Sequence, residues 1–260
     1  MIYGDDNRIE VFQANAKMQE LADSTVALID SNKVVDVGSG LVKVVAIPAS
    51  SEFKLCKGER FASQLAGAPC SGVLVTPNIV LTAGHCVKAE TCDGAKILFG
   101  YSYNTPDQNM NFFPVKDLYS CKKVISRVFE SNGLDYALME IDRSVVDHKP
   151  AVISEKAPVV KDPMVVIGHP MFLPTKIAGG AVVRSVSDTF FVANTDTYAG
   201  SSGSAVFNEK TGTLAGILVR GEVDFAKTEA GCNISKVCKN DECRGEDITR
   251  IDMIKSHLPQ

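Results

Sequence analysis

The chain has 260 residues, 45% hydrophobic and 22% charged, which is enough to bury a sizeable core and argues against a disordered, collagenous or coiled-coil protein. Lys plus Arg number 27 against 31 Asp plus Glu, a net charge of -4, and the longest basic run is Lys122-Lys123, too little to hold nucleic acid by phosphate neutralisation. No apolar run approaches the roughly 18 residues of a membrane helix, because Lys43, Pro77 and Asn78 interrupt the best stretches, so no membrane span is expected.

In chain order, Ile9, Phe12, Ala16 and Met18 suit an amphipathic helix, expected between Arg8 and Ala22 with Asp6 or Asn7 as its cap. The texture then changes to short Val-, Ile- and Leu-rich runs bounded by Gly, Pro, Asn or Ser, and strands are expected at 26–29, 41–47, 72–75, 79–82, 97–101 and 136–141. A polar stretch over 143–151 is expected to be a linker. Strand-like runs resume at 159–160, 164–168, 180–186, 190–193, 204–207 and 214–219, and a closing helix is expected over 247–258. Many short strands with one helical pattern at each end indicate an all-β protein of two barrels or sandwiches. The expected division is an N-terminal segment 1–24, a first β-domain 25–142, the linker, and a second β-domain 152–260 that ends in the helix.

Eight cysteines, Cys56, Cys70, Cys86, Cys92, Cys121, Cys232, Cys238 and Cys243, include no C-x-x-C pair. An even count without metal spacing favours disulfides and hence a secreted or periplasmic protein. The opening Met1-Ile2-Tyr3-Gly4 has no basic region followed by an apolar one, so the chain reads as a mature or recombinant form lacking its export signal. Reduced thiols in a cytosolic protein are the rival reading, and a metal site at Cys232, Cys238 and Cys243 is the rival to a disulfide within that cluster.

Three segments carry chemistry. In Thr82-Ala83-Gly84-His85-Cys86 a histidine follows a strand, and imidazole suits general-base work because its pKa lies near neutrality. In Asp135-Tyr136-Ala137-Leu138 a carboxylate stands at the mouth of an apolar strand, where an imidazole N–H would satisfy it and be oriented by it. In Gly200-Ser201-Ser202-Gly203-Ser204-Ala205-Val206-Phe207 the glycines permit a tight turn that converges backbone N–H groups beside a hydroxyl, as an oxyanion hole requires. Each segment alone has a bland reading as a core histidine, a strand-end acid or a simple turn.

Together, in the order His, Asp, Ser, they resemble the signature blocks of chymotrypsin-like serine peptidases, most closely the bacterial trypsin-like and glutamyl-endopeptidase-like branches. The resemblance runs from about Thr25 to the expected C-terminal helix and implies two six-stranded antiparallel β-barrels with the site in the cleft between them. It implies Ser202 as nucleophile, His85 as base and then acid, Asp135 as the orienting group, and the backbone N–H groups of Gly200 and Ser202 as oxyanion donors. It also implies a Cys70–Cys86 disulfide around the histidine and a substrate-binding edge at Val219, Arg220 and Gly221. Asp196 and Thr197, six and five residues before Ser202, fall at the floor of the specificity pocket, where a carboxylate would favour Lys or Arg.

Departures limit the transfer. Ser201 replaces the trypsin group's Asp, Val219 and Arg220 replace its usual serine and aromatic, and Leu218 stands where glutamyl endopeptidases carry histidine. The alternative to a basic preference is that Arg220, on the opposite wall, reaches Asp196 and neutralises it, which leaves a pocket for neutral side chains or for an acid on Arg220. His169 is expected to be structural or cleft-lining, and His148 and His257 solvated. The expected function is hydrolysis of polypeptide substrates without metal or organic cofactor. A non-catalytic binding protein on the same scaffold and a serine esterase are the alternatives.

Overall fold

The computed structural model describes residues 1–88 and 92–258. Twelve strands build two closed six-stranded antiparallel barrels. Six form the first: β1 (Thr25–Asp30), β2 (Cys70–Thr76), β3 (Ile79–Thr82), β4 (Ala95–Phe99), β5 (Leu118–Phe129) and β6 (Asp135–Ile141). Their order around the barrel is β4-β5-β6-β3-β2-β1, and β1 closes it on β4. The second barrel comprises β7 (Pro163–Gly168), β8 (Lys176–Val186), β9 (Phe190–Ala193), β10 (Ala205–Asn208), β11 (Leu214–Arg220) and β12 (Glu246–Arg250). Here the order is β7-β10-β11-β12-β9-β8, closed by β7 on β8.

β2, β3 and β6 are apolar on both faces because one face fills the first barrel and the other packs against the second barrel. In β2 and β3, Leu74 and Val80 point into the first barrel with Val26, Ile97, Phe99 and Met139. Their neighbours Val73 and Leu81 point the other way, into a shared core with Leu138 and with Val165, Ile167, Ala205, Phe207 and Ile217 of the second barrel. Val166, Val206, Phe191 and Ile248 fill the second barrel. The period-2 alternation of a strand is thus preserved as apolar-in, apolar-across rather than apolar-in, polar-out. The seam between the barrels is a core in its own right, and it fixes the cleft above it.

Several expected elements differ. Residues 8–10 form a strand, Arg8–Glu10, added to β8, and the helix that follows, α1 (Ala16–Asp23), is capped by Asn15 through Met18 N–H, not by Asp6 or Asn7. The expected strand at 41–47 splits: Leu41–Val44 joins Val34–Gly38 and Phe112–Pro114 in a small sheet outside the barrels. Residues 159–160 belong to no strand, whereas β5 forms where none was expected. The closing helix over 247–258 is absent, replaced by β12 and two short 3-10 turns, Ile251–Met253 and Lys255–His257. Pairing between β9 and β11 buries Glu246 to Thr249 and holds them extended.

All eight cysteines are paired, as Cys56–Cys232, Cys70–Cys86, Cys92–Cys121 and Cys238–Cys243. The Cys70–Cys86 bond and a bond within the last three cysteines agree with expectation. No helix among the described residues is long and apolar enough to cross a membrane.

Candidate active site

His85 sits in the 3-10 turn Gly84–Cys86 that ends β3, and Asp135 is the first residue of β6. The two meet because Gly84 has no side chain: a Cβ there would stand 2.0 Å from the Val128 carbonyl oxygen, so only glycine lets the turn lie against β5 and β6. Arg127 locks the turn by donating from Nε to the carbonyls of Gly84 (2.7 Å) and Val87 (2.9 Å). Asp135 is fully buried and holds His85 at two points. Its Oδ2 lies 2.7 Å from Nδ1 of the ring, and its Oδ1 accepts the His85 backbone N–H at 3.1 Å. From the other barrel, Thr249 of β12 donates to the Asp135 carbonyl at 3.0 Å.

Ser202 lies on the turn that leads into β10. Gly200 and Gly203 both have positive φ, at 95° and 82°, and a Cβ on Gly203 would fall 2.1 Å from the Ser71 carbonyl oxygen. Backbone bonds from Ser201 N–H to Tyr198 O and from Ser204 N–H to Ser201 O close the turn on either side of Ser202. Among the described residues, the amides of Gly200 and Ser202 donate to no protein acceptor, which leaves both free for a ligand oxygen. The Ser202 hydroxyl likewise makes no hydrogen bond to His85, although the two turns adjoin: Cys86 Sγ is 3.8 Å from the Ser202 carbonyl oxygen.

Ser71, which sequence reasoning passed over, ties the halves together. Its N–H donates to Ser202 O at 2.8 Å and its hydroxyl to Gly200 O at 3.0 Å, while the same oxygen accepts His169 N–H at 3.0 Å. Its neighbour Cys70 is bonded to Cys86, next to His85. Nothing in the sequence marks Ser71 beyond its place beside Cys70.

A cavity of about 200 Å³ opens beside Ser202, lined among others by Thr197, Leu218, Val219, Arg220, Gly221, Asp224 and Glu246. Thr197, Val219, Arg220 and Gly221 are all part of this lining. Asp196 is not. Its oxygens accept the backbone N–H groups of Tyr3 (2.8 Å) and Asn7 (2.9 Å), so its carboxylate faces the N-terminal segment and not the cavity. Burial pushes Asp196 up to about 6. Arg220 does not reach it either: its Nε binds Asp247 at 3.0 Å and its Nη2 the Gly133 carbonyl at 3.1 Å, bracing the two barrels.

His169 is structural, as expected: it is buried, its Nδ1 meets the Leu173 carbonyl at 3.0 Å, and burial lowers it to about 4, so the ring is neutral. His148 is not solvated, because it stacks on Phe99 at 4.4 Å between centroids and contacts Asp23 at 2.7 Å. Cys70, His85 and Cys86 cluster closely enough to suggest metal ligands, but the disulfide consumes both thiolates, and this donor set does not fit a metal ion.

The sequence profile of the trypsin-like peptidase domain matches residues 70–217. Among solved structures, the chain is similar to an inactive form of the Rv3671c protease of M. tuberculosis, at 12% identity and a TM-score of 0.55 over 99% of this chain and 95% of that one. It is similar to a Glu endopeptidase at 16% identity and a TM-score of 0.55, covering 98% of each chain. The VesB protease of Vibrio cholerae matches at 16% identity and a TM-score of 0.55, over 96% of this chain and 65% of that one. At such identities the likeness establishes the shared two-barrel fold. Among curated protein sequences none matches significantly.

Proposed function

The chain belongs to the family of trypsin-like peptidase domains, and from that membership we propose that it is a serine endopeptidase acting through Ser202, His85 and Asp135. The observation that carries the proposal is the doubly held His85–Asp135 pair beside a turn with two free amides. Asp135 keeps the proton on Nδ1, so Nε2 is the basic nitrogen that faces the reaction. Ser202 Oγ attacks the substrate carbonyl carbon and passes its proton to His85 Nε2. The carbonyl oxygen becomes an oxyanion held by the N–H groups of Gly200 and Ser202, each such donor being worth about 3 kcal/mol in comparable sites. The C–N bond then breaks, the Nε2 proton leaves with the amine, and water cleaves the Ser202 ester by the same steps in reverse. Polypeptides are the proposed substrates and the cavity beside Ser202 receives the side chain on the acyl side of the cut. Four disulfides support action outside the cytosol, in a secreted or periplasmic setting.

A fluorophosphonate probe tests the reading. It is expected to label Ser202 of the wild-type chain and neither Ser202→Ala nor His85→Ala, and both variants are expected to lose peptide turnover by about four orders of magnitude. Failure of wild type to label would refute the catalytic reading in favour of a binding scaffold. Labelling with ester but no peptide turnover would leave an esterase.

A further inference from the structure

A second cavity, of about 400 Å³, shares no lining residue with the one beside Ser202. It opens where stretches distant in sequence meet: Asp23 at the end of α1 and Thr25 at the start of β1, Phe99 at the end of β4, Asp117 just before β5, and His148 from the segment between the barrels. Phe12, Phe112 and Phe113 make the rest of its wall aromatic, and His148 stacks on Phe99 at 4.4 Å between centroids.

Several polar groups of this lining are engaged with one another or with backbone: Thr175 Oγ1 donates to Tyr101 O, Ser102 Oγ to Asn104 Oδ1, and Gln108 Oε1 accepts Asn104 N–H. Others are not. Asp23 Oδ1 lies 2.7 Å from His148 Nδ1, and a carboxylate can only accept, so the neutral ring carries its proton on Nδ1 and leaves Nε2 as an acceptor. Nε2 has no hydrogen bond among the described residues. Asp117 Oδ1 stands 3.9 Å from it, too far for a bond between them and close enough for one nitrogen donor to serve both. Thr25 is 3% exposed, yet its Oγ1 also lacks a partner, although a buried hydroxyl normally has one. Cations are scarce here, and among the described residues no Lys or Arg lines the cavity. Lys116 is 3.1 Å from Asp117 but is largely exposed and shared with Asp147 at 2.8 Å, so Asp23, Asp117 and Asp147 have one lysine among them. Lys149 is paired with Glu20.

We propose that this cavity is a binding site for a small primary amine carried on an apolar body. The ammonium brings N–H donors to a lining that offers the Asp23 and Asp117 carboxylates, His148 Nε2 and the Thr25 hydroxyl, and its charge meets an excess of carboxylate. The apolar body lies against Phe12 and Phe112, whose side chains are part-exposed and whose ring faces also attract a cation. A neutral molecule of the same shape gains the apolar contact but leaves the carboxylates uncompensated, and an anion is repelled by them. The site goes beyond the peptidase reading and does not depend on it, because Ser202, His85 and Asp135 take no part in the lining.

The test is an amide-resolved NMR titration of the intact chain with phenethylamine, its neutral near-isostere 2-phenylethanol and the anion phenylacetate. Phenethylamine is expected to shift the amides of Asp23, Thr25, Gly100 and His148 saturably, with 2-phenylethanol at least about tenfold weaker and phenylacetate weaker still. Asp23→Asn keeps an acceptor for His148 Nδ1 and removes the charge, so it should weaken the amine about tenfold and leave the alcohol within about twofold. Thr25→Val keeps the shape and removes the hydroxyl. Because that hydroxyl has no partner in the free chain, the variant should melt at the wild-type temperature or above it, yet bind the amine about fivefold more weakly. Should either variant fail to fold, the wild-type comparison of amine with alcohol decides. Equal affinity for amine and alcohol at these amides would show a plain apolar recess and overturn the proposal. So would the absence of a saturable shift, shifts confined to the cavity beside Ser202, or amine affinity unchanged in both variants.

Discussion

Asp135→Asn is the sharpest perturbation of the candidate site, because the geometry dictates what the amide must do. Asp135 presents Oδ1 to a fixed donor, the His85 backbone N–H at 3.1 Å, and Oδ2 to the ring nitrogen Nδ1 at 2.7 Å. An asparagine keeps its oxygen on the backbone N–H, since that group can only donate, and turns its NH2 toward Nδ1. The ring must then accept at Nδ1 and carry its proton on Nε2, the nitrogen that should take the Ser202 proton. Flipping the amide restores the useful tautomer but sets two donors against each other in a fully buried site, at a cost of about 1–3 kcal/mol for the unsatisfied group. Loss of the carboxylate charge beside the imidazolium formed in the reaction adds about 2–3 kcal/mol. Together these predict a fall in kcat/KM of about 10²–10⁴. Steady-state hydrolysis of one peptide amide by wild type and variant measures it, with near-ultraviolet circular dichroism confirming that the near-isosteric variant is folded. A folded Asp135→Asn enzyme within tenfold of wild type would refute the assigned roles of both His85 and Asp135.

Replacing Cys70 and Cys86 by serine opens a loop of sequence separation 16 and is expected to lower stability by about 3 kcal/mol in the chain-entropy account. Urea unfolding with an unchanged slope measures this, and a loss below about 1 kcal/mol would contradict it. Glu246 is raised chiefly by burial to about 7, so the folded protein keeps a proton that the unfolded chain releases near 4.5. Its contribution to stability is therefore fully present below about pH 4.5 and is lost as pH rises through about 7. Glu246→Gln should match wild type near pH 4 and gain on it, by about 3 kcal/mol at most, by pH 8. A stability difference that does not change with pH would show that Glu246 is not held in its protonated form.

How far the sequence could be followed depended on whether a feature is local. The histidine turn, the Asp at the head of β6 and the serine turn are each written within ten residues, and their geometry follows from glycines at fixed offsets. The strands at 79–82, 164–168 and 190–193 were legible because both faces are buried and the runs are uniformly apolar. β5 was not, because Lys122, Lys123 and Arg127 interrupt a strand that lies half exposed on the barrel wall. The end of the chain misled for a physical reason: Ile248, Ile251 and Ile254 recur every three residues and imitate a helical face. They are in fact a strand residue and the anchors of 3-10 turns, all buried. Asp196 misled because its offset from Ser202 is local while its partners, Tyr3 and Asn7, lie 193 and 189 residues away. Glu246 was invisible for the converse reason, since its approach to Thr197 and Gly221 exists only once β12 pairs with its neighbours.

The two halves of the site share one mechanical anchor at the start of β2. Cys70 is covalently joined to Cys86, one residue from His85, while Ser71 donates to the carbonyls of Ser202 and Gly200. A shift of this strand end would therefore move the histidine turn and the Gly200–Gly203 turn together. The other inter-barrel ties act farther out, Thr249 on the Asp135 carbonyl and Arg220 on the Gly133 carbonyl, and hold Asp135 and its loop rather than Ser202. Serine suits position 71 for a structural reason. Its hydroxyl donates to Gly200 O and accepts the His169 N–H, so alanine would leave a carbonyl and an amide unpaired inside the seam. The relative placement of the His85 and Ser202 turns thus depends on one strand end, through the hydrogen bonds of Ser71 to the serine turn and the disulfide of its neighbour Cys70 to the histidine turn.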